Sequence, residues 1–457
     1  MGFKEWTGTH SVVEGFLREI QTTLEASPLQ DNRLRSRLKA QRTKFSVQLS
    51  EGLPRPLQKF VSQMLLGVQA SQEVKRRSIG RSLKEEVALI KTENRLSRNR
   101  EAHEREGRLS ERLAAMGSRR VEANTVLCLD LRDLRKEYAK KMEYLAKVRD
   151  GSTGERQDGY GRCDITAAAV KSREIVPLYQ KLYSAEATEF RSENAEILAA
   201  VDLVRGHTPG RGLWAVDRGG ERRQLLEPRR ERRERFVIRS TGKRFAIDRR
   251  RLKGSVAEVG GRCRRRYAAR VSKIADGREK VYERRYGAEP IRLPGREEKL
   301  RLVVIAGCGK EPLLLLTNLA VARDSESLWW IVQIYLPRWK IEETFRFLKQ
   351  SYHLEDIRVL RYQRLKNRGV LVTAAAYFAA TFLGQKLKLK ILCEKRLIIS
   401  RRFFGIPPFR FYALAKGIAK VLSLTTAVPI SGGPVQGVLH RKGLRGWREG
   451  FAEQVGR

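Results

Sequence analysis

The chain has 457 residues, of which 94 are Lys or Arg and 52 are Asp or Glu, a formal net charge of +42. Its 41% hydrophobic residues can form a core, which argues against wholesale disorder. Because like charges repel in a compact state, the excess indicates a polyanionic partner. Nucleic acid is the first candidate, an anionic membrane surface the second, and a basic bias of the whole proteome the alternative.

The five cysteines form no CxxC pair, which argues against a zinc ribbon or a redox motif. Their odd number and wide spacing suit a reducing cytoplasm. Residues 1–14 lack the apolar segment of a signal peptide, and the longest apolar run, Val370–Leu383, is too short to cross a bilayer. We therefore expect a cytoplasmic protein with no membrane partner.

The first 120 residues are predicted to be helical and basic. Segments such as Leu57–Ala70 place apolar residues at helical intervals, and no strand-like alternation precedes Thr125. Such a region suits binding to DNA ends, and a helical cap on the core is the alternative.

Residues 121–240 are predicted to form an α/β layer on a mixed sheet. Short apolar runs predict strands at Val126–Leu129, Cys163–Val170, Ile175–Leu182, Leu213–Val216 and Phe236–Arg239. A helix capped by Ser192 and another over Glu221–Arg233 are predicted between them. Asp150–Gly161 has the composition of a turn-rich loop.

Strand-like runs continue through residues 241–321, which we interpret as a β-rich insertion. A long helical region begins at Ser325 and returns to the core over residues 322–390. Residues 391–457 are predicted to form a basic C-terminal region, whose last stretch is a loose tail.

Two aspartates, Asp130 and Asp217, each follow an apolar strand of the predicted sheet. Side chains at the carboxyl ends of such strands point into the crevice where α/β proteins bind ligands. Two carboxylates that converge there repel one another unless a cation lies between them, and Mg²⁺ prefers such oxygen ligands. A pair of ions could activate water and stabilise the leaving oxygen of a phosphodiester. The alternative is that both aspartates cap turns.

A third carboxylate lies in the segment Tyr335–Glu342, which is predicted to open a helix with Pro337 in its first turn. At about 100° per residue, Arg338, Glu342 and Lys349 fall within about 40° of one helix face. A carboxylate between two cations could bind metal while its neighbours hold phosphate. An ordinary ion pair between residues four apart is the alternative.

Tyr335, Arg338, Glu342 and Lys349 together match Y-x2-R-x3-E-x6-K. That pattern resembles the signature of the "insertion sequence four" family of DDE transposases. The sequence VDRGG at residues 216–220 and the segment Leu129–Glu155 are also similar to that family. The resemblance extends from roughly Leu53 to Gly384.

The resemblance implies a ribonuclease-H-like catalytic core in which Asp130, Asp217 and Glu342 hold two ions of Mg²⁺ or Mn²⁺. It implies that residues 241–321 are an insertion domain, and that other signature side chains contact transposon-end phosphates: Tyr335, Arg338 and Lys349. The implied reaction is hydrolysis at inverted-repeat ends followed by transesterification into target DNA, performed by a homodimer that holds two ends in a synaptic complex. A metal-dependent nuclease and a transposase-derived DNA-binding protein are the alternatives.

Two features depart from the family pattern. Asp133 lies three residues after Asp130 and is the alternative first carboxylate. The family often has aspartate four residues after its second catalytic carboxylate, where this chain has Glu221.

Fourteen Lys and Arg residues lie between Arg222 and Lys253, and a second basic run occupies Arg262–Arg266. This density suits contact with a DNA backbone, and a solvated helix face balanced by nearby glutamates is the alternative. Three tryptophans flank the glutamate helix: Trp329, Trp330 and Trp339. The resemblance implies a flipped base at the transposon ends, on which an aromatic side chain could stack, with Trp339 as a DNA contact. Packing in the core is the alternative.

Overall fold

A computed structural model describes residues 28–98, 105–149, 154–169, 175–275, 278–394 and 411–423. The chain separates into two units, Met1–Ser423 and Leu424–Arg457, and the described residues all lie in the first. Most of the predicted basic C-terminal region therefore falls outside the described residues.

The described residues before the first strand form helices. They are α1 (Pro28–Leu49), α2 (Arg55–Ser71), α3 (Arg76–Ser82), α4 (Leu89–Arg98) and α5 (Arg105–Ser118). The buried faces of these helices belong to the same hydrophobic cluster as one face of the sheet. This packing favours the helical cap, while DNA binding by the region remains a prediction.

A mixed sheet forms the centre of the fold. Its first strands are β1 (Val126–Arg135), β2 (Ala146–Arg149), β3 (Arg156–Ala168), β4 (Ile175–Tyr183), β5 (Leu213–Val216) and β6 (Phe236–Arg239). Strands β4, β3 and β1 pair antiparallel, whereas β5 is parallel to β1 and β6 is parallel to β5. Helix α6 (Glu193–His207) connects β4 to β5, and α7 (Arg223–Glu231) connects β5 to β6.

The loop predicted over Asp150–Gly161 is too long at its C-terminal end, because β3 begins at Arg156. Its glycines permit close packing inside the sheet. A Cβ on Gly161 would lie 2.3 Å from the Tyr183 ring on the paired strand. The helix predicted over Glu221–Arg233 is also shorter, since a 3-10 turn over Arg218–Glu221 precedes α7.

The strands of the β-rich stretch extend the same sheet. They are β7 (Phe245–Asp248), β8 (Lys253–Ser255), β9 (Tyr267–Ala275), β10 (Arg278–Arg292), β11 (Lys299–Ala306) and β12 (Leu313–Thr317). Strand β12 pairs with β6, which gives the order β5-β6-β12-β11-β10-β7-β8 in this half. Helix α8 (Val256–Arg262) was not predicted, although its capping box of Ser255 and Glu258 is a recognisable helix-start signal.

The remaining described residues are mainly helical. They form α9 (Ser325–Tyr335), α10 (Trp339–Tyr352), α11 (Tyr362–Tyr377), α12 (Gln385–Glu394) and α13 (Phe411–Ser423), with a 3-10 turn over Leu336–Arg338 between α9 and α10. Among the described helices none is both long and apolar enough to cross a membrane alone. One pair bent by 106°, Tyr362–Phe382 with Gln385–Leu392, meets the length and composition when taken together.

Alternation along β1 divides the interior into two hydrophobic clusters. Leu127 and Leu129 belong to the cluster that includes the N-terminal helices. Val126 and Cys128 belong to a second cluster, formed with α9 and the first turn of α10. Asp130 continues the second series, so its side chain projects from the sheet face that α9 and α10 cover.

Candidate active site

Asp130 and Asp217 lie side by side on neighbouring parallel strands. The last register pair of β1 with β5 is Leu129 with Val216, and each aspartate is the next residue. Strands in a sheet lie about 4.8 Å apart, so this register places the two aspartates close together. Both are in series with residues of the second cluster, which puts them on the same face.

Asp130 does not end its strand, contrary to the sequence prediction. Strand β1 continues to Arg135 because β3 pairs along its whole length, whereas β5 stops at Val216. Asp133 lies an odd number of residues from Asp130 and therefore projects from the opposite face. This geometry favours Asp130 over Asp133 as the first carboxylate of the site.

The guanidinium of Arg338 lies among all three predicted carboxylates. It donates to the Glu342 carboxylate at 2.8 Å. Its other terminal nitrogen lies 3.7 Å from a carboxylate oxygen of Asp130 and 3.9 Å from one of Asp217. The structure thus brings the three acidic side chains together around one cation.

The backbone at this position differs from the predicted helix start. Tyr335 ends α9, and Pro337 and Arg338 form the 3-10 turn before α10. Arg338 retains helical backbone angles, with φ −53° and ψ −39°, so Glu342 still lies one turn further along. The four-residue spacing of Arg338 and Glu342 therefore produces the expected ion pair.

Tyr335 and Arg239 complete the surroundings of Asp217. The Tyr335 hydroxyl donates to Asp217 at 3.0 Å, and the Arg239 guanidinium lies 3.7 Å from the same oxygen. Burial raises the pKa of Tyr335 to about 12, and the Asp217 charge acts in the same direction. Tyr335 is therefore a protonated donor that orients this carboxylate.

Asp130 is held by Arg132 from its own strand at 2.6 Å. Burial raises the pKa of Asp130, and the nearby charges of Glu342 and Asp217 act in the same direction, while Arg132 and Arg338 oppose the rise. Neither Arg132 nor Arg239 was predicted from the sequence to contact the aspartates. Arg132 could have been found, since residues two apart on a strand share a face.

Lys349 does not contact the three carboxylates. Its ammonium lies 2.7 Å from the Glu355 carboxylate and 4.7 Å from the centre of the Phe345 ring. Arg132 and Arg162 also lie over that ring, each at 5.3 Å. The three cations thus pack around the buried Phe345 ring, and each is paired with an acidic side chain: Arg132 with Asp130, Arg162 with Asp164 and Lys349 with Glu355.

The structure describes the side chains of two of the three tryptophans that flank the glutamate helix. Trp329 and Trp330 pack against the second hydrophobic cluster, and Trp329 lies 5.2 Å from the Tyr286 ring. These contacts favour core packing for both. The side chain of Trp339 lies outside the described part of the structure, so its predicted contact with DNA remains a prediction.

Glu221 is a buried structural carboxylate. It accepts hydrogen bonds from the Ser240 hydroxyl at 2.6 Å and from the backbone and hydroxyl of Thr241 at 2.6 and 2.8 Å. Glu221 therefore anchors the turn after β6, and its contacts do not include the acidic cluster. Glu221, which stands where the family often has an aspartate, is thus not part of the acidic cluster.

Much of the first basic segment is engaged in internal ion pairs. Arg229 is buried, lies 3.1 Å from Glu234 and stacks over Trp214. Further pairs in this segment are Arg222–Glu193, Arg230–Glu227, Arg230–Glu298, Arg232–Asp202 and Arg244–Glu221. For these arginines the structure favours balance by acidic neighbours over contact with DNA.

The acidic cluster consists of carboxylate oxygens, the donors that Mg²⁺ and Mn²⁺ prefer. Within the described ranges, no three His, Cys, Asp or Glu side chains are spaced to hold one ion. Arg338 instead supplies the positive charge between the carboxylates. The donor chemistry suits a divalent ion, and Arg338 lies between the carboxylates that would hold it.

No protein-family model matches the chain. No curated protein matches it either. Among solved structures, the cryo-EM structure of a piggyBac transposase synaptic complex with hairpin DNA is similar over 88% of this chain and 86% of that chain, with 11% sequence identity and a TM-score of 0.43. An identity and a score this low do not establish the function of this chain.

Proposed function

We propose that the chain is a DNA transposase that cuts phosphodiester bonds with divalent metal ions and joins the freed 3′-hydroxyl to target DNA. The observation that carries this proposal is the convergence of Asp130, Asp217 and Glu342 on one cation. These are the three carboxylates of the DDE-type motif that the sequence resembles, and they come from two strands and a helix far apart in the chain.

The strand arrangement supports a ribonuclease-H-like core. Three antiparallel strands, β4, β3 and β1, are followed by two strands parallel to β1, with helices in the connections. That arrangement is the one expected of such a core. It also explains why the first two carboxylates lie on adjacent central strands and the third on a helix that packs across them.

Asp130, Asp217 and Glu342 would hold Mg²⁺ or Mn²⁺, two ions in the proposed site. Such ions supply activation of water and neutralisation of the leaving oxygen. Tyr335 orients the Asp217 carboxylate through its hydroxyl, and Arg132 orients Asp130. Once free of the carboxylates, Arg338 can donate to a DNA phosphate in the forked geometry that guanidinium and phosphate share.

The net charge of +42 supports DNA as the partner, because each neutralised phosphate releases counterions. We also propose that the protein acts as a homodimer that holds two transposon ends, and that it acts on DNA in the cytoplasm. Lys349, beside the cluster, is proposed to reach a transposon-end phosphate after exchange of its bond to Glu355.

The test compares Glu342→Gln with Glu343→Gln on labelled DNA that carries the sequences flanking the gene. Glu343 is the next residue of the same helix and makes no contact with Arg338 among the described ion pairs. With Mg²⁺ we expect wild type and E343Q to cut and E342Q to fall to background. All three should bind, because binding depends on Lys and Arg contacts to phosphate.

Cleavage by E342Q at the wild-type rate would remove Glu342 from the site. If wild type and E342Q both bind but neither cuts, a transposase-derived DNA-binding protein is the better interpretation. Cutting without strand transfer would indicate a metal-dependent nuclease.

A further inference from the structure

A cavity in the β-rich half of the sheet is lined by six arginines. It has a volume of about 120 Å³ and lies among β7, α8, β9 and β10. We name it the arginine cleft, and its arginines are Arg249, Arg250, Arg262, Arg264, Arg266 and Arg323. The volume is several times the ~30 Å³ that a water takes in the liquid, so a phosphate group fits.

The charges of the arginine cleft are only partly balanced. Arg249 lies 3.2 Å from Glu289, and Arg262 lies 3.4 Å from Asp248. Both acids line the same cavity. The other four arginines of the cleft have no acidic partner among the described ion pairs, in contrast to Arg229 and Arg230 of α7. The cleft therefore carries an excess of positive charge within a concave surface.

Backbone contacts position the walls of the arginine cleft. The chain at Arg264 lies so close to β10 that a Cβ on Gly287 would be 2.2 Å from the Arg264 carbonyl oxygen. On the other wall, the Tyr267 hydroxyl donates to the carbonyl of Arg323 at 2.6 Å. These contacts of the backbone position Arg264 and Arg323 on different walls of the cleft.

The cleft suits the phosphodiester groups of a nucleic acid better than the separate carboxylates of an acidic protein surface. Guanidinium forks bind phosphate with two parallel hydrogen bonds, and several forks in one groove suit a repeating phosphate backbone. The cleft involves β10, four strands from β5 in the sheet order. Four spacings of about 4.8 Å place β10 ~19 Å from β5, and a DNA duplex that crosses the sheet in this direction spans that distance in ~6 base pairs.

We infer that the arginine cleft binds the backbone of double-stranded DNA about six base pairs from the bond that the acidic cluster cuts. The inference rests on the proposed function, and it assigns a second, separate contact with the same DNA. The contact is independent of sequence, because arginine forks on phosphate read no base.

The experiment uses the full chain and a random-sequence duplex, with binding followed by fluorescence anisotropy over a series of salt concentrations. Arg264→Ala with Arg266→Ala should reduce the slope of log affinity against log salt by about 1.8, since each phosphate contact contributes about 0.9. Arg323→Ala, on a different segment, should reduce it by about 0.9. The matched control removes two exposed charges of α13, Lys416 and Lys420, and should leave the slope unchanged.

An unchanged slope in both arginine variants would overturn the inference, as would an equal loss in the α13 control. Hydroxyl-radical footprinting on the gene-flanking DNA adds position, since the variants should lose protection about six base pairs from the cut. Failure of the proposed function is distinguishable. If wild type does not cut DNA but the slopes still fall, the cleft is a DNA site on a protein that is not a transposase.

Discussion

Replacement of Arg338 by alanine tests whether this guanidinium serves as the internal counter-ion of the acidic cluster. The side chain forms three ion pairs, at 2.8, 3.7 and 3.9 Å. Each would contribute about 4 kcal/mol as bare Coulomb attraction at an effective dielectric constant of 20. Its partners are 20–43% exposed, so screening and side-chain entropy reduce each pair to about 0.5–1 kcal/mol.

We therefore expect Arg338→Ala to lower the free energy of unfolding by about 2 kcal/mol in excess EDTA, from the sum of three such pairs. Saturating MgCl₂ should restore most of this loss, because a ligand that binds only the folded state stabilises it. Wild type should gain less from MgCl₂, since its guanidinium must first withdraw. Urea unfolding with EDTA or MgCl₂ measures both differences.

Lys349→Ala is the matched control, because Lys349 bonds to Glu355 and contacts none of the three carboxylates. Its unfolding free energy should respond to MgCl₂ as that of wild type does. The counter-ion role of Arg338 would be refuted if R338A and wild type gained the same stability from MgCl₂, or if R338A were as stable as wild type in EDTA.

Three further predictions concern residues outside the acidic cluster. Burial raises the pKa of Glu106 to about 7 from 4.5, so the folded state keeps a proton that the unfolded chain releases. The free energy of unfolding should therefore fall by up to about 3 kcal/mol as the pH rises from about 4.5 to 7. Urea unfolding should show that Glu106→Gln removes this fall, and parallel pH profiles of variant and wild type would contradict the prediction. Arg229→Met leaves buried Glu234 without its partner and should lower the free energy of unfolding by about 3–5 kcal/mol. The salt slope of DNA binding should stay unchanged, and a lower slope would mean that Arg229 contacts DNA. Glu221→Gln should lower the free energy of unfolding by about 1–3 kcal/mol, because the amide keeps only one of the two oxygens that accept from Ser240 and Thr241. Cleavage should stay at the wild-type rate, and loss of cleavage in a folded variant would place Glu221 in the metal site.

Local patterns in the sequence were sufficient for several elements. The runs Leu213–Val216 and Phe236–Arg239 are strands with the predicted bounds, and Ser192 caps its helix by accepting a hydrogen bond from Ala195. These features depend on residues within a few positions of one another. The four-residue spacing of Arg338 and Glu342 likewise determines their ion pair, because it is set by helical geometry alone.

Other features depended on which distant segments pair. Strand β1 extends past Asp130 because β3 pairs with it to Arg135, and no pattern within β1 encodes that partner. The same holds for the β-rich stretch, which joins the central sheet through the pairing of β12 with β6. Register between such segments is decided by the whole folded chain.

The arginines show the same division most clearly. Composition alone determined that the protein carries a large positive excess and that nucleic acid is the first candidate partner. It could not distinguish Arg229, buried on Glu234, from Arg264, which lines a cleft without an acidic partner in the described ion pairs. An arginine is neutralised or free according to the acidic side chains that folding brings within about 4 Å, and only the tertiary structure decides that distance.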